Sequence, residues 1–592
     1  MVSSKCAGVA AGLAEGRVMP ETGLSQGLTN YGDREFSLYL RRVFAKSMGY
    51  SDEMLAKPIV GIATSGGDFN NCHRTTPELV KAVSRGVLAA GGLPMEFPTI
   101  SLGEPYLTPT SLVFRNLMAM DVEEMIRAQP MDAVVLIGGC DKTLPAQLMG
   151  AISAGKPALA LVVGPMMTGS FEGNRLGACT DCRSWWARYR AGELDDARIR
   201  ALESNLATTA GTCAVMGTAS TMACVTEALG MSLPGSATPP AVHAERLRFA
   251  EASGARAVEM ARDGLTPERI VTRESVDNAL RVLFALGGST NGAIHLTAIA
   301  GRAGVPLTLE HFNAIAAATP VLVNLKPVGA HYMEQFHAAG GVGALLRELA
   351  PLLHRQTVSA AGETLATRLA RVPAYVDRDV IRPADDPIVA RDALVALFGN
   401  LAPNGAILKA AAADARLLEH EGRAVVFRDL ADLAARIDDP ALDVEPDDVL
   451  VLQNAGAIAA GMPEAGYLPI PKKLLSRGVR DMLRISDARM SGTAYGAVVL
   501  HISPESGVGG PLAAVRDGDR IRVSLRERRI DVALSDEEIA HRLAAVPRAP
   551  LASRGYRKLY AEHVLGPERG CDFDFLVPSA SPASPTSSAQ SR

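Results

Sequence analysis

The sequence predicts an α/β protein, with an N-terminal α/β/α domain around a parallel sheet and a strand-rich, barrel-like C-terminal domain. Two observations support this fold class. Apolar, β-branched runs alternate with helical segments up to residue 163, which is typical of a parallel sheet covered on both faces. Beyond residue 448, short strand patterns return in close succession, separated by polar turns.

The elements of the first part follow in chain order. A helix near 36–48 precedes a β-α-β pattern of short apolar runs and amphipathic segments. We predict strands and helices here at 58–63 (strand), 77–90 (helix), 131–137 (strand), 144–154 (helix) and 157–163 (strand). From 215 to 350 the chain is mostly helical, with candidate helices at 241–263, 275–287 and 291–303.

A polar, proline-marked segment at 383–387 predicts a linker between two domains. Beyond it we predict strands at 448–452 and 497–500, and a hairpin formed by 521–525 and 530–534. Ser535 and Glu538 have the spacing of a capping box, which predicts a helix start. The predicted division is an arm over 1–29, a first domain over 30–384, a second over 385–577 and a disordered, Pro/Ser/Ala-rich tail over 578–592.

Composition excludes several classes of protein. The 592 residues carry 60 basic and 64 acidic side chains, so no basic stripe indicates a nucleic-acid partner. The longest uncharged stretch, 204–226, is too rich in Ser and Thr to cross a membrane, and the N-terminus lacks the apolar core of a signal peptide. We therefore expect a cytoplasmic protein without a membrane or nucleic-acid partner.

The eight cysteines are too few for a secreted disulfide framework. Cys72 and Cys140 each follow a predicted strand, and Cys213 precedes a predicted helix. Taken singly, each has the alternative of a buried structural thiol, and their wide spacings match no zinc-knuckle pattern. Cys179 and Cys182 form a Cys-x-x-Cys pair, but no second pair accompanies it, so we interpret it as structural.

The segment Gly138-Gly-Cys-Asp-Lys-Thr143 is the most informative, because it lies where a predicted parallel strand ends and a helix begins. Open α/β sheets place their chemistry in this crevice. A thiolate suits iron and a carboxylate suits Mg²⁺, so Cys140 and Asp141 together indicate a metal centre. The alternative is a buried cysteine beside a solvated Asp–Lys pair.

Six motifs in order carry a family resemblance. They are Ser101-Leu-Gly-Glu104, Gly138-Gly-Cys-Asp-Lys-Thr143, Gly217-Thr-Ala-Ser-Thr-Met222, Gly287-Gly-Ser-Thr-Asn291, Gly461-Met-Pro-Glu464 and Ser486-Asp-Ala-Arg-Met-Ser-Gly-Thr493. Over about residues 30–575 the chain resembles the dihydroxy-acid dehydratase and phosphogluconate dehydratase family. The segment 115–125 is most similar to the sugar-acid (aldonate) dehydratase branch.

The resemblance implies two metal groups. Cys72, Cys140 and Cys213 match three thiolate ligands of an iron–sulfur cluster, [2Fe–2S] with [4Fe–4S] as the alternative, which leaves one iron open for Lewis-acid chemistry. The Mg²⁺ ligands implied by the same resemblance are Glu104, Asp141, Glu464 and Lys142, the last as a carbamate. It also implies a homodimer or homotetramer, with the cluster in the first domain and catalysis in the second.

The resemblance further implies that Ser491 is the catalytic base and Thr493 a neighbouring active-site hydroxyl. Without it, Ser491 would be interpreted as a turn serine and Glu464 as an exposed loop acid. The implied reaction removes water from a 2,3-dihydroxy acid: an alkoxide beside Mg²⁺ takes the C2 proton, and the open iron takes the C3 hydroxyl.

The sequence and the resemblance leave three functions open. The first is dehydration of a sugar acid, a pentonate or hexonate such as arabinonate, xylonate or galactonate, to a 2-keto-3-deoxy acid. The second is a dihydroxy-acid dehydratase of branched-chain amino-acid synthesis. The third is a non-catalytic iron–sulfur redox sensor that uses Cys179 and Cys182.

Overall fold

The computed structural model describes residues 21–28, 32–464, 468–546 and 552–578. The predicted N-terminal arm lies mostly outside these residues, and so does all but the first residue of the predicted disordered tail. No helix among the described residues is long and apolar enough to cross a membrane.

The helices and strands are numbered in chain order. The helices are α1 Arg34–Ser47, α2 Asp52–Leu55, α3 Thr76–Ala89, α4 Leu112–Ala128, α5 Thr143–Ala154, α6 Thr180–Arg190, α7 Asp196–Leu206, α8 Thr218–Leu229, α9 Ala244–Asp263, α10 Arg273–Ala285, α11 Asn291–Arg302, α12 Leu309–Ala317, α13 Met333–Ala338, α14 Gly341–Glu348, α15 Leu365–Leu369, α16 Leu430–Arg436, α17 Ala457–Ala460, α18 Lys472–Ser476, α19 Asp536–Ala544 and α20 Gly555–His563. The strands are β1 Ile59–Thr64, β2 Leu93–Pro98, β3 Ala133–Gly138, β4 Ala158–Val162, β5 Gly169–Phe171, β6 Asn174–Leu176, β7 Val395–Leu397, β8 Gly405–Leu408, β9 Glu419–Phe427, β10 Val449–Leu452, β11 Arg484–Ser486, β12 Val498–Ser503, β13 Arg520–Ser524 and β14 Arg529–Val532.

The first sheet has the strand order β2-β1-β3-β4, and every pairing in it is parallel. All residues of β1, β3 and β4 are buried, as their continuous apolar runs predict. Helix α3 packs against α9 with almost no space between the backbones. A Cβ atom on Gly86 of α3 would lie 1.9 Å from the carbonyl oxygen of Glu251, so only glycine fits there.

The second sheet has eight strands in the order β14-β13-β9-β10-β11-β12-β8-β7. Its central strands β9 to β12 are parallel, and antiparallel strands flank them. The amide of Phe398, just after β7, donates to the carbonyl of Arg528, and the amide of Ile530 donates to Phe398, each at 2.9 Å. These bonds join the two edge strands, so the predicted barrel-like, strand-rich fold is confirmed.

The predicted hairpin is present as β13 and β14, which pair antiparallel from Ile521 opposite Val532 onward. The helix predicted after it is α19, and the Ser535 side chain accepts a hydrogen bond from the amide of Glu538 at its N-terminus. This bond satisfies one of the amides that the first helical turn leaves unpaired.

Candidate active site

Two of the candidate thiols lie at one edge of the first sheet. Strand β1 leads into a short 3₁₀ turn that carries Cys72, and β3 leads into Cys140 just before α5. Because β1 and β3 are parallel neighbours, their carboxyl ends share this edge. Interaction with Cys72, and then burial, raise the pKa of the Cys140 thiol well above its usual range, so the two side chains lie close together.

His73 ties the two thiol-bearing segments together, a role that the sequence alone did not reveal. Its Nε2 accepts hydrogen bonds from the amides of Gly139 and Cys140, at 3.1 and 3.0 Å. Its Nδ1 therefore carries the proton, and it lies 2.9 Å from the carbonyl oxygen of Ser65. Burial lowers the pKa of His73 to about 4, which keeps Nε2 free to accept these bonds at neutral pH.

We expect His73→Ala to lower the iron content per chain of the purified protein. The change leaves two buried amides beside Cys140 without an acceptor, at a cost of about 1–3 kcal/mol each. Iron and acid-labile sulfide analysis measures the effect, and His541→Ala at an exposed histidine of α19 is the control. Full iron content in His73→Ala would show that this histidine does not organise the thiols.

Cys213 lies in the segment before α8, and two further thiols, those of Cys179 and Cys182, lie near it. Sγ of Cys213 lies 3.4 Å from Sγ of Cys179. Interaction with Cys182 and with Cys213 lowers the pKa of the Cys179 thiol well below its usual range. The neighbouring Cys179 and burial raise the pKa of the Cys213 thiol well above its usual range, and Cys72 adds to this rise. The pair that the sequence indicated as structural therefore lies directly beside a proposed cluster ligand, with Cys179 at the N-cap of α6.

The oxygen donors converge next to the thiols. Oδ1 of Asp141 is 3.5 Å from Sγ of Cys140, so the two groups are contiguous. The ammonium of Lys142 is fully buried and forms an ion pair with Asp141. Its Nζ also lies 3.8 Å from Oε2 of Glu104 and 4.0 Å from Oε1 of Glu464. All four proposed Mg²⁺ ligands are thus brought together, although Glu464 comes from the second half of the chain.

Arg489 completes this centre, and sequence reasoning did not single it out. Its fully buried guanidinium donates to Glu464 at 2.7 Å and to Glu104 at 3.1 Å. Burial alone would raise the pKa of Glu104, but the charges of Arg489 and Lys142 lower it to about 2. Burial raises the pKa of Glu464. The only signal in the sequence was the position of Arg489 inside the 486–493 motif.

The loop that carries Ser491 is held by two other motifs. Nδ2 of Asn291 donates to the carbonyl of Met490 at 3.1 Å. A Cβ atom on Gly492 would lie 2.5 Å from Cβ of Ser289 and 3.0 Å from the amide nitrogen of Thr218, so glycine permits the close approach. The loop is thereby fixed against the N-terminus of α8, a few residues from Cys213.

The hydroxyls of the loop form a short chain. Oγ of Ser491 lies 2.9 Å from Oγ1 of Thr493, and Nε of Arg183 donates to that Oγ1 at 3.4 Å. Lys409 lies behind the loop, where its Nζ donates to the carbonyl of Gly492 at 3.3 Å. Burial lowers the pKa of Lys409 to about 7. Neither Arg183 nor Lys409 was predicted from the sequence.

The donor chemistry fits the two groups that the resemblance implies. Cys72, Cys140 and Cys213 offer sulfur, the ligand type that iron–sulfur clusters use. The adjacent carboxylates offer the oxygen ligands that Mg²⁺ prefers, and carbamylation of Lys142 would replace its positive charge by further oxygens. The three thiols lie in the sheet-edge and α8 segments, whereas Glu464 and Ser491 come from the second half of the chain.

Comparisons with known proteins show which family the chain is similar to. The family models described as dihydroxy-acid/6-phosphogluconate dehydratase N-terminal and C-terminal match residues 57–368 and 379–571. The chain is 45% identical to an L-arabonate dehydratase of Azospirillum brasilense, over 92% of this chain and 96% of the relative. It is 45% identical to a 6-deoxy-6-sulfo-D-gluconate dehydratase of Pseudomonas putida, over 89% and 91%. A dihydroxy-acid dehydratase of Caldanaerobacter subterraneus subsp. tengcongensis is 38% identical over 89% and 96%.

Proposed function

The chain belongs to the dihydroxy-acid/6-phosphogluconate dehydratase family and is a hydro-lyase, and from this premise we propose that it dehydrates a sugar acid. The substrate class is a pentonate or hexonate such as arabinonate, xylonate or galactonate, and the product a 2-keto-3-deoxy acid. The observation that carries the proposal is the 45% identity to two dehydratases whose names specify sugar-acid substrates, against 38% to a dihydroxy-acid dehydratase.

The proposal includes a [2Fe–2S] cluster on Cys72, Cys140 and Cys213, with [4Fe–4S] as the alternative, and Mg²⁺ in the carboxylate centre. When bound, the cluster supplies a Lewis acid for the departing C3 hydroxyl, and Mg²⁺ supplies positive charge at the C2 hydroxyl and the carboxylate. A homodimer or homotetramer, and the division into a cluster-binding domain over 30–384 and a catalytic domain over 385–577, belong to the same proposal.

Ser491 is the proposed base for the C2 proton. A serine hydroxyl is too weak an acid to be deprotonated in water, so its alkoxide needs stabilising neighbours. Thr493 supplies one of them: Arg183 donates to the Thr493 oxygen, which leaves the threonine hydroxyl hydrogen free to bond to Ser491 2.9 Å away. The fully buried guanidinium of Arg489, two residues before Ser491 in the same motif, adds positive charge to the adjoining centre and favours the alkoxide further.

The carboxylate centre holds its shape because Arg489 bridges Glu104 and Glu464. This bridge fixes two oxygen donors from distant parts of the chain in one place. In the proposed reaction, substrate bound at the centre presents its C2 proton to Ser491, and the enol formed by loss of water tautomerises to the 2-keto acid. Positioning of this kind removes much of the entropic barrier of the reaction.

A dihydroxy-acid dehydratase of branched-chain amino-acid synthesis is the second candidate, favoured by the 38% identity to a relative with that name. It uses the same chemistry on a substrate with an apolar group at C3. Membership of a dehydratase family removes the non-catalytic iron–sulfur sensor as a separate function.

A substrate panel tests the choice between the two. We expect kcat/KM for arabinonate, xylonate or galactonate to exceed that for 2,3-dihydroxyisovalerate at least about tenfold, because a site built to bind hydroxyls discriminates strongly against an apolar replacement. Formation of the 2-keto acid is measured on anaerobically purified protein, with iron analysis of the same sample. Preferential turnover of 2,3-dihydroxyisovalerate would overturn the sugar-acid proposal.

A further inference from the structure

Two histidines and a glutamate come together outside the residues assigned to the active site. His243 lies immediately before α9, Glu245 lies in the first turn of α9, and His337 lies in the last turn of α13. One ligand atom from each residue lies within 4.8 Å of the other two. Nε2 of His337 is 3.1 Å from Oε2 of Glu245, and Nδ1 of His243 is 3.9 Å from the same oxygen.

A buried hydroxyl orients one of these rings. Oγ1 of Thr238 lies 3.1 Å from Nδ1 of His337, and Thr238 is almost completely buried. When Nδ1 donates its hydrogen to this hydroxyl, Nε2 carries the lone pair and points it at Glu245. Histidines that bind metals are typically held in this way, with the second ring nitrogen hydrogen-bonded to the protein.

The backbone under the three residues is fixed. The fully buried guanidinium of Arg246 donates to the carbonyl of Ser236 at 2.6 Å and also to that of Pro239, and the amide of Ala241 donates to Pro165 at 2.8 Å. Helix α13 is anchored separately, through a 2.8 Å bond from the amide of Met333 to the carbonyl of Ala214. The three side chains are thus presented by two independently anchored segments.

We propose that His243, Glu245 and His337 form a second metal site, which binds a divalent first-row transition cation of the Zn²⁺ type. Two imidazole nitrogens and one carboxylate oxygen are a ligand set of catalytic and regulatory zinc sites, with water in the fourth position. A tetrahedral site with bonds of about 2.0–2.1 Å places its ligands about 3.3 Å apart. The observed separations from Glu245 are 3.1 and 3.9 Å and all three ligand atoms lie within 4.8 Å of one another, so the exposed His243 side chain would move inward to match this geometry.

The site differs in chemistry from the carboxylate centre. Imidazole nitrogens favour Zn²⁺ and its first-row neighbours over Mg²⁺, which prefers oxygen. A cation held here would join the start of α9 to α13. Because Met333 of α13 bonds to Ala214, the residue after Cys213, such a cation would brace the segment that carries this proposed cluster ligand.

Zinc counting on the cluster-loaded full chain tests the proposal. The protein is dialysed anaerobically against buffered Zn²⁺ with excess Mg²⁺, so that the thiols and the carboxylate centre are occupied, and bound zinc is measured by mass spectrometry. We expect the wild type to bind one zinc per chain more than His337→Ala or His243→Ala. Its Tm should rise with zinc, whereas the Tm of these two variants should not. Thr238→Val should bind zinc about 10–100-fold more weakly, because it loses only the orienting hydroxyl.

His541→Ala removes a histidine of α19 outside the site and is the matched control, which should keep the additional zinc. Iron content and Tm without zinc, compared among all variants, identify any variant that fails to fold. Equal zinc in the wild type and in both histidine variants would overturn the proposal. Displacement of bound zinc by equimolar Fe²⁺ would instead assign the site to iron, against the affinity order of these cations, and would overturn the choice of Zn²⁺.

Discussion

Replacing Ser491 with alanine is expected to lower kcat by about 10²–10⁴-fold, the range that a general base contributes. The visible absorption and the iron content should be unchanged, because Ser491 contributes no sulfur ligand and its loop is held by Asn291 and Gly492 through bonds and contacts that do not use the hydroxyl. KM should change little, since the hydroxyl acts on the C2 proton rather than on the groups that bind substrate. Steady-state kinetics with the best substrate of the panel, together with a visible spectrum, measure both expectations.

Two further variants sharpen this result. Thr493→Val keeps the shape of the neighbouring side chain but removes the hydrogen bond to Ser491, so its kcat should fall less than that of Ser491→Ala. Ser476→Ala, at an exposed serine of α18, should behave as the wild type. Near-normal kcat in Ser491→Ala would mean that another group removes the proton.

Replacing Cys140 with serine is expected to abolish both colour and turnover. A serine hydroxyl is a hard, weakly acidic ligand, whereas iron–sulfur clusters are held by thiolates. Cys140 also occupies the central position of the site, between the His73 hydrogen bonds on one side and Asp141 on the other. Iron and sulfide per chain, with about two iron atoms for [2Fe–2S] and about four for [4Fe–4S] in the wild type, provide the measurement.

Cys224→Ala is the matched control for this variant. Cys224 is a completely buried thiol within α8 that belongs to no proposed ligand set, and its loss should leave iron content and activity intact. Full iron content in Cys140→Ser would remove this cysteine from the proposed ligand set. A colourless, iron-free wild-type protein with full activity would contradict the cluster altogether.

The sequence predicted the first sheet well because its strands are continuous apolar runs. β1, β3 and β4 are buried along their whole length, and continuous apolar runs that alternate with helices are typical of a parallel sheet between helix layers. β2 was not predicted, because prolines at Pro94 and Pro98 weaken its strand pattern. The structure places it at the edge of the sheet, where proline is tolerated.

The candidate site was predictable only in part. The thiols of Cys72 and Cys140 follow from strand ends that share one edge of a parallel sheet. The sequence does not predict the positions of Arg489, Arg183 and Lys409, because each makes its contact with a segment far away in sequence. The spacing of Cys179 and Cys182 was equally uninformative, because the nearest sulfur, that of Cys213, comes from a different segment.

The Arg489 bridge has a consequence for how the chain acquires its active site. The bond to Glu104 closes a loop of 385 residues, and the bond between Thr180 and Thr493 closes one of 313. Contacts between residues so far apart in sequence form late in folding. Closing the loop costs chain entropy before the contact contributes any stabilising free energy. During synthesis, the first sheet can fold and bring its two sheet-edge thiols together before the later strands are made. Glu464, Arg489 and Ser491 are added to the chain afterwards, close to one another in sequence. On the proposed assignment, the two sheet-edge thiols are therefore the early part of the site, and the site is complete only when the second sheet has folded against the first part of the chain.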